Sequence, residues 1–280
     1  MKRFLPNAGA LVLVVALVGA VVWLRPDPPA PVQPPAVVLQ YVDGSTLWSS
    51  ADGGPRSHLV NRVVTELDEQ GLSLDRLRTG GAVVQTTIDG KAQAEAAAVV
   101  GRLVASRPGG PGASVTAIGA ESGDVRVYFG HGRDTDLAGG EPKEVAAEVL
   151  RPLTDAGAPN LVRERMSPLE VTAAYAVIAD GGFQRQPYFV SKVTGADGSL
   201  LYRKVVVTDI AVDQQVADRV TARLKERPGC NGVACVPGAH PWTVGYTPQL
   251  AVAVFVDQAA ADDTDLTRVV WQEFLASLAG

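Results

Sequence analysis

Two loop histidines, two cysteines, a run of aspartates and a pair of strand aromatics are the residues of this chain from which chemistry could be built. His131 and His240 could each serve as a base near neutral pH. Neither has a serine or carboxylate partner evident in the sequence, so a solvated loop or a local hydrogen bond is the expected role. Cys230 and Cys235, in a C-x4-C spacing, are too few for a four-ligand zinc site or a disulfide scaffold, and adding His240 does not complete a metal site. Asp262, Asp263 and Asp265 lack the glycine and spaced ligands of a calcium loop and read as an acidic cluster at a helix start. Trp242 and Tyr246 share a strand face and could stack a sugar or peptide, but core packing across strands is the expectation. No catalytic, metal or cofactor residue is assigned. The net charge of -5 and the absence of a Lys/Arg block exclude a nucleic-acid partner.

The elements that position these residues begin with a membrane signal. Lys2 and Arg3 precede an uncharged stretch from Phe4 to Leu24, which at about 1.5 Å rise per residue is long enough to cross the hydrocarbon core. Trp23 sits where an interfacial aromatic belongs, and the two cations keep the N-terminus inside. Residues 1–24 are thus read as a cytoplasmic stub and uncleaved single-pass anchor in the cell membrane. A cleaved signal peptide is the competing reading, but prolines crowd the exit and leave no small-x-small site. Residues 25–37 form a Pro-rich linker, stiff and extended, and residues 38–280 a domain outside the cytoplasm. In that oxidising compartment Cys230 and Cys235 most simply form a local disulfide, with two unpaired thiols as the alternative.

Within the domain, Asp43-Gly44 turns a small hairpin. Leu59, Val60, Val63, Val64 and Leu67 predict an amphipathic helix over 57–70, closed by Gly71. A strand is expected at 82–87, followed by a helix capped by Asp89 with Ala96, Val99, Val100, Leu103 and Val104 on one face. The hairpin from Ser114 to Gly130 places Val125, Val127 and Phe129 on one buried face, alternating with Arg126 and Tyr128. A polar connector follows from His131 to Arg165, with one short helix near 145–153. Ser167-Pro168-Leu169-Glu170 is a capping box with proline at the first helical position, starting a helix that runs to about Ala179. A hairpin turning at Ala196-Asp197-Gly198 and a helix from Asp213 carrying Val216, Val220 and Leu224 come next. PWTVGYTP and the nearly all-apolar LAVAVFVDQ make a last hairpin whose second strand is buried on both faces. A closing helix with Leu266, Val269, Val270, Phe274 and Leu278 covers it. The fold class is α+β, an antiparallel sheet flanked by helices.

Several of these blocks, in order, resemble the transpeptidase domain of bifunctional, class A penicillin-binding proteins. LDEQGLSLDRLRTGGAVVQTTIDGKAQAEAA is similar to the domain's opening, and VTAIGAESGDVRVYFG to its first hairpin. MSPLEVTAAYAVIADGGFQRQPYFVSKVTGADGSLLY is similar to a later helix and hairpin, PWTVGYTPQLAVAVFVDQ to the last two strands, and VVWQEFLASL to the closing helix. The resemblance implies attack of an activated serine on a D-Ala-D-Ala peptide or a β-lactam, through Ser-x-x-Lys, Ser-x-Asn and Lys-Thr-Gly motifs. None of the three occurs in this chain. The short connector replaces the much longer segment that carries the two serine motifs, so the helical lobe is read as largely deleted. CNGVACVPGAH stands where Lys-Thr-Gly should precede the WTVGYTP strand. The expected function is that of an inactive transpeptidase homologue, with a scaffold or binding role toward peptidoglycan or cell-envelope proteins. The alternatives are an acyl-serine enzyme using another serine, such as Ser167 or Ser191, and a decayed remnant that folds poorly.

Overall fold

The computed structural model describes residues 35–280 apart from 105–106, 108–109, 133–134, 258–264 and 279–280. The apolar stretch 4–24, most of the Pro-rich linker, and Asp262 and Asp263 lie outside the described residues. Among the described residues no helix is long and apolar enough to cross a membrane. Val37, read as the end of the linker, is fully buried and opens the first strand.

Strand β1 (Val37–Gln40) and β2 (Thr46–Ser49) form the small hairpin, with the Asp43 carboxylate accepting from the Ser45 amide inside the turn. Helices α1 (His58–Glu69) and α2 (Leu74–Gly80) lead to β3 (Ala82–Thr86), and α3 (Gly90–Leu103) leads to the hairpin β4 (Gly112–Gly119) and β5 (Val125–His131). The caps are local and legible: Ser57, Ser73 and Asp89 each accept a backbone N–H from the first turn of the helix they precede. The connector holds β6 (Lys143–Glu144), α4 (Ala147–Asp155) and β7 (Arg165–Met166). After it come α5 (Pro168–Ala179), β8 (Phe183–Arg185), β9 (Val190–Gly195), β10 (Leu200–Arg203), β11 (Thr208–Ile210) and α6 (Gln214–Lys225). The chain closes with β12 (Ala234–Ala239), β13 (Trp242–Tyr246), β14 (Leu250–Asp257) and α7 (Leu266–Leu278).

One antiparallel sheet was expected, and the structure has two five-stranded sheets. The first, ordered β10-β9-β3-β1-β2, is mixed, because β1 and β3 run parallel. Parallel neighbours need a long crossover, which α1 and α2 supply. The second, ordered β12-β13-β14-β4-β5, is antiparallel throughout.

Strand β14 lies inside the second sheet between β13 and β4, and its side chains divide with a period of two. Ala251, Ala253 and Phe255 join the cluster packed around α5, whereas Val252, Val254 and Val256 join the one formed with α3 and α7. This double burial explains why the strand reads as a continuous apolar run. Helix α5, held between the sheet and its neighbours, is buried on nearly every side.

The β4–β5 hairpin departs from simple alternation. A register shift between Ala117 and Ile118 inserts an extra residue, so Val125 packs in the α5 cluster with Tyr128, and Val127 faces α3 and α7. The expected single buried face is therefore wrong for this hairpin. Tyr128 is 2% exposed, edge-on to Phe189 with ring centroids 5.2 Å apart.

Candidate functional site

The segment expected in the place of Lys-Thr-Gly forms β12, an edge strand of the second sheet. Ala234 pairs with Tyr246, Cys235 with Gly245 and Val236 with Val244. The strand's side chains are those of Ala234, Cys235, Val236, Pro237 and Ala239, so it offers neither a cation nor a hydroxyl. Pro237 also removes an edge N–H donor. Cys235 is instead bonded to Cys230, with Cα atoms 5.6 Å apart and both residues buried beside Trp271. Gly245 makes room for this arrangement, since a Cβ there would lie 2.6 Å from each of the Ala234 carbonyl, the Cys235 Cβ and the Trp271 ring.

The connector is fastened at several points. The Tyr128 hydroxyl donates to Asp136, whose other oxygen accepts the Ala138 and Gly139 amides at 3.0 and 3.2 Å. Burial, and then the neighbouring Asp136 carboxylate, push the Tyr128 phenol far above its ordinary range. The Trp242 indole donates to the Glu144 carbonyl at 2.8 Å, and the Tyr175 hydroxyl to the Val149 carbonyl at 2.7 Å. Ala146, at the N-cap of α4, makes no side-chain capping hydrogen bond. The whole stretch from His131 to Arg165 contains no serine.

The residues singled out from sequence are scattered. Ser167 is 4% exposed and closes its capping box, its hydroxyl donating to Glu170 Oε2 at 3.1 Å and accepting the Glu170 amide at 3.3 Å. Ser191 Oγ donates to the Gln85 carbonyl at 2.9 Å. Among the described residues no serine hydroxyl is hydrogen-bonded to a lysine or histidine side chain, the arrangement an acyl-serine mechanism requires. Trp242 is fully buried against Phe255, ring centroids 4.7 Å apart, which closes it to a ligand. Tyr246 is 4% exposed and shares a hydrogen bond with Thr221; desolvation moves its phenol up to about 12. Asp265 is paired with Arg268 at 3.2 Å, and among the described residues no group of three potential ligands could hold a metal. His131 is exposed at the end of β5.

His240 has the most suggestive surroundings. It lines a cleft of about 470 Å³ with Lys143, Glu144 and Asp257, residues distant in sequence. Its Nδ1 is buried without a hydrogen-bond partner. Among the described residues no hydroxyl or thiol side chain lines this cleft, so none of them offers a nucleophile for a base there to activate.

Sequence reasoning missed Glu66. This carboxylate is 7% exposed within the apolar stripe of α1, where it accepts the Phe189 and Val190 amides at 2.7 and 3.1 Å. Desolvation raises its affinity for a proton despite those bonds. Its position three residues after Val63 and seven after Leu59 was the available signal.

No protein-family model matches the chain. It is similar to penicillin-binding protein 1A of Mycolicibacterium smegmatis, at 30% identity over 109 residues that take in 31% of this chain and 14% of that protein. The match therefore spans far less than two thirds of that relative. Among solved structures, the PonA1 protein of Mycobacterium tuberculosis in complex with penicillin V superposes with a TM-score of 0.66 at 17% identity, over 79% of this chain and 92% of that one. PBPA from M. tuberculosis gives a TM-score of 0.70 at 14% identity, over 89% of this chain and 100% of that one.

Proposed function

We propose, on the premise that this chain has the fold of a penicillin-binding-protein transpeptidase domain, that it is a non-catalytic homologue with a binding or scaffold role in peptidoglycan biology. One observation carries the reading. The two places where acyl transfer needs its groups hold none of them: residues 131–165 contain no serine, and β12 carries no lysine or threonine. Acylation of a serine requires a base within hydrogen-bond reach to take its proton and a cation and oxyanion donors facing the scissile carbonyl. Residues that act as such a unit fail together when any member is lost. Here the helical lobe is reduced to a connector fastened to the sheet, which leaves the scaffold and removes the chemistry.

On this reading residues 4–24 anchor the chain in the cell membrane, with the rest of the chain on its outer side. The Cys230–Cys235 disulfide suits that oxidising side. The binding role is tested by co-sedimenting the full chain, purified in detergent, with peptidoglycan sacculi. Retention on sacculi that survives excess penicillin is the expected result. Failure to sediment would remove the peptidoglycan-binding role.

A further inference from the structure

We infer that the cleft between α1, β8 and the start of α5 binds an acidic peptide, with the Arg62 guanidinium holding one carboxylate. The cleft measures about 290 Å³. Its walls carry Arg62, Arg163 and Arg185 against one lining carboxylate, Glu170, in a chain of net charge -5. That carboxylate is fully engaged. Oε1 accepts from Arg163 at 2.7 Å, and Oε2 accepts the Ser167 amide at 2.7 Å and its hydroxyl at 3.1 Å. Arg185 is held by Asp180, both side chains being mostly buried.

Arg62 differs. Among the described residues it makes no ion pair, and its guanidinium lies 5.7 Å from the centroid of the Phe189 ring. That contact orients the group without neutralising it. Glu66, four residues on, makes no hydrogen bond to it, since both its oxygens accept the Phe189 and Val190 amides, although the two charges attract each other. A half-buried guanidinium without a salt bridge favours a ligand that brings a hydrogen-bonding carboxylate.

The rest of the lining fixes the class of ligand. The side-chain amides of Asn160, Gln184 and Gln186 present donors and acceptors suited to a peptide backbone. Met166 and Leu169, both buried in the core, contribute only a small apolar part of the lining. Arg163 and Arg185 are spent on Glu170 and Asp180, which leaves Arg62 as the one lining guanidinium without a salt bridge among the described residues, enough for one acidic residue rather than a polyanion. The inference stands on this cleft alone and does not depend on the loss of acyl transfer.

The test is calorimetric titration of the full chain in detergent with acetyl-Leu-Glu-Ala-amide, acetyl-Leu-Gln-Ala-amide and sodium acetate. The glutamyl peptide should bind at least about tenfold more tightly than the glutaminyl one, the worth of a charge-assisted bond. Acetate should bind more weakly than either peptide, and Arg62→Gln should erase the preference for glutamate while melting normally. Equal binding of the two peptides, acetate binding as tightly as the glutamyl peptide, or a preference retained in R62Q would each overturn the inference. The unmodified chain gives a reading that does not depend on the variant folding. Its preference should shrink as ionic strength rises, and a preference indifferent to salt would count against Arg62.

Discussion

Helix α5 is fixed to the second sheet by two threonines whose removal should have unequal and non-additive costs. Thr116 on β4 and Thr172 on α5 are both fully buried, with their hydroxyl oxygens 2.6 Å apart. Thr172 also donates to the Pro168 carbonyl at 2.8 Å. A hydroxyl has a single proton, so Thr116 is the donor between the two. Thr116→Val leaves Thr172 still donating to Pro168 and should cost about 1 kcal/mol, the net worth of one hydrogen bond. Thr172→Val strands the Thr116 hydroxyl without an acceptor in the core, at a cost of about 1–3 kcal/mol. The double variant leaves no unpaired group and replaces both hydroxyls with methyl groups of the same shape. It should therefore recover most of the T172V loss, to within about 1 kcal/mol of wild type. Equilibrium urea unfolding, followed by fluorescence of the buried Trp242 and Trp271, reads these differences. A double variant whose loss equals the sum of the two single losses, or T116V proving the costlier single change, would refute the assignment.

Glu66 should give the stability curve an acid-side signature. Its proton affinity is raised in the folded state above the ordinary value of 4.5, so protonation favours the fold. The gain is full below the unfolded value and is lost as pH rises through the folded one. Relative to Glu66→Gln, the native chain should therefore become more stable as pH falls from neutral toward 4.5, and a constant difference between the two would contradict this. Replacing Cys235 with serine, or reducing the disulfide that links residues five apart, should lower unfolding stability by about 2 kcal/mol on the chain-entropy relation. A change below a few tenths of a kcal/mol would mean that the bond constrains little.

Local punctuation made most of the fold legible. The Ser167–Glu170 capping box, the Asp89 cap and the Asp197-Gly198 turn each involve residues within a few positions of one another, and each is formed. What escaped depends on contacts between distant segments. The parallel β1–β3 pairing joins strands separated by two helices, so one sheet was expected where two exist. The bulge in β5 reassigns Val125 to the opposite face, and no residue type in VRVYFG announces it. On α7, Val269 was assigned to the buried stripe and is only half-buried, whereas Trp271 fills the space left by Gly245.

The candidate site followed the same division. Missing serine, lysine and threonine are legible as composition, because a motif must be present in the sequence to act. The grouping of His240 with Lys143, Glu144 and Asp257 is tertiary and has no sequence signature. Nor does the cleft at Arg62, which draws on α1, the connector, α5 and β8.

The central claim, that the transpeptidase fold persists here without its acylating serine, is tested most directly with a fluorescent penicillin. The full chain is incubated with the label after a cooperative thermal melt has established that it is folded, then run under denaturing conditions beside an active penicillin-binding protein. The account predicts a labelled control and an unlabelled chain. Covalent label on this chain, mapped to any serine, would contradict it.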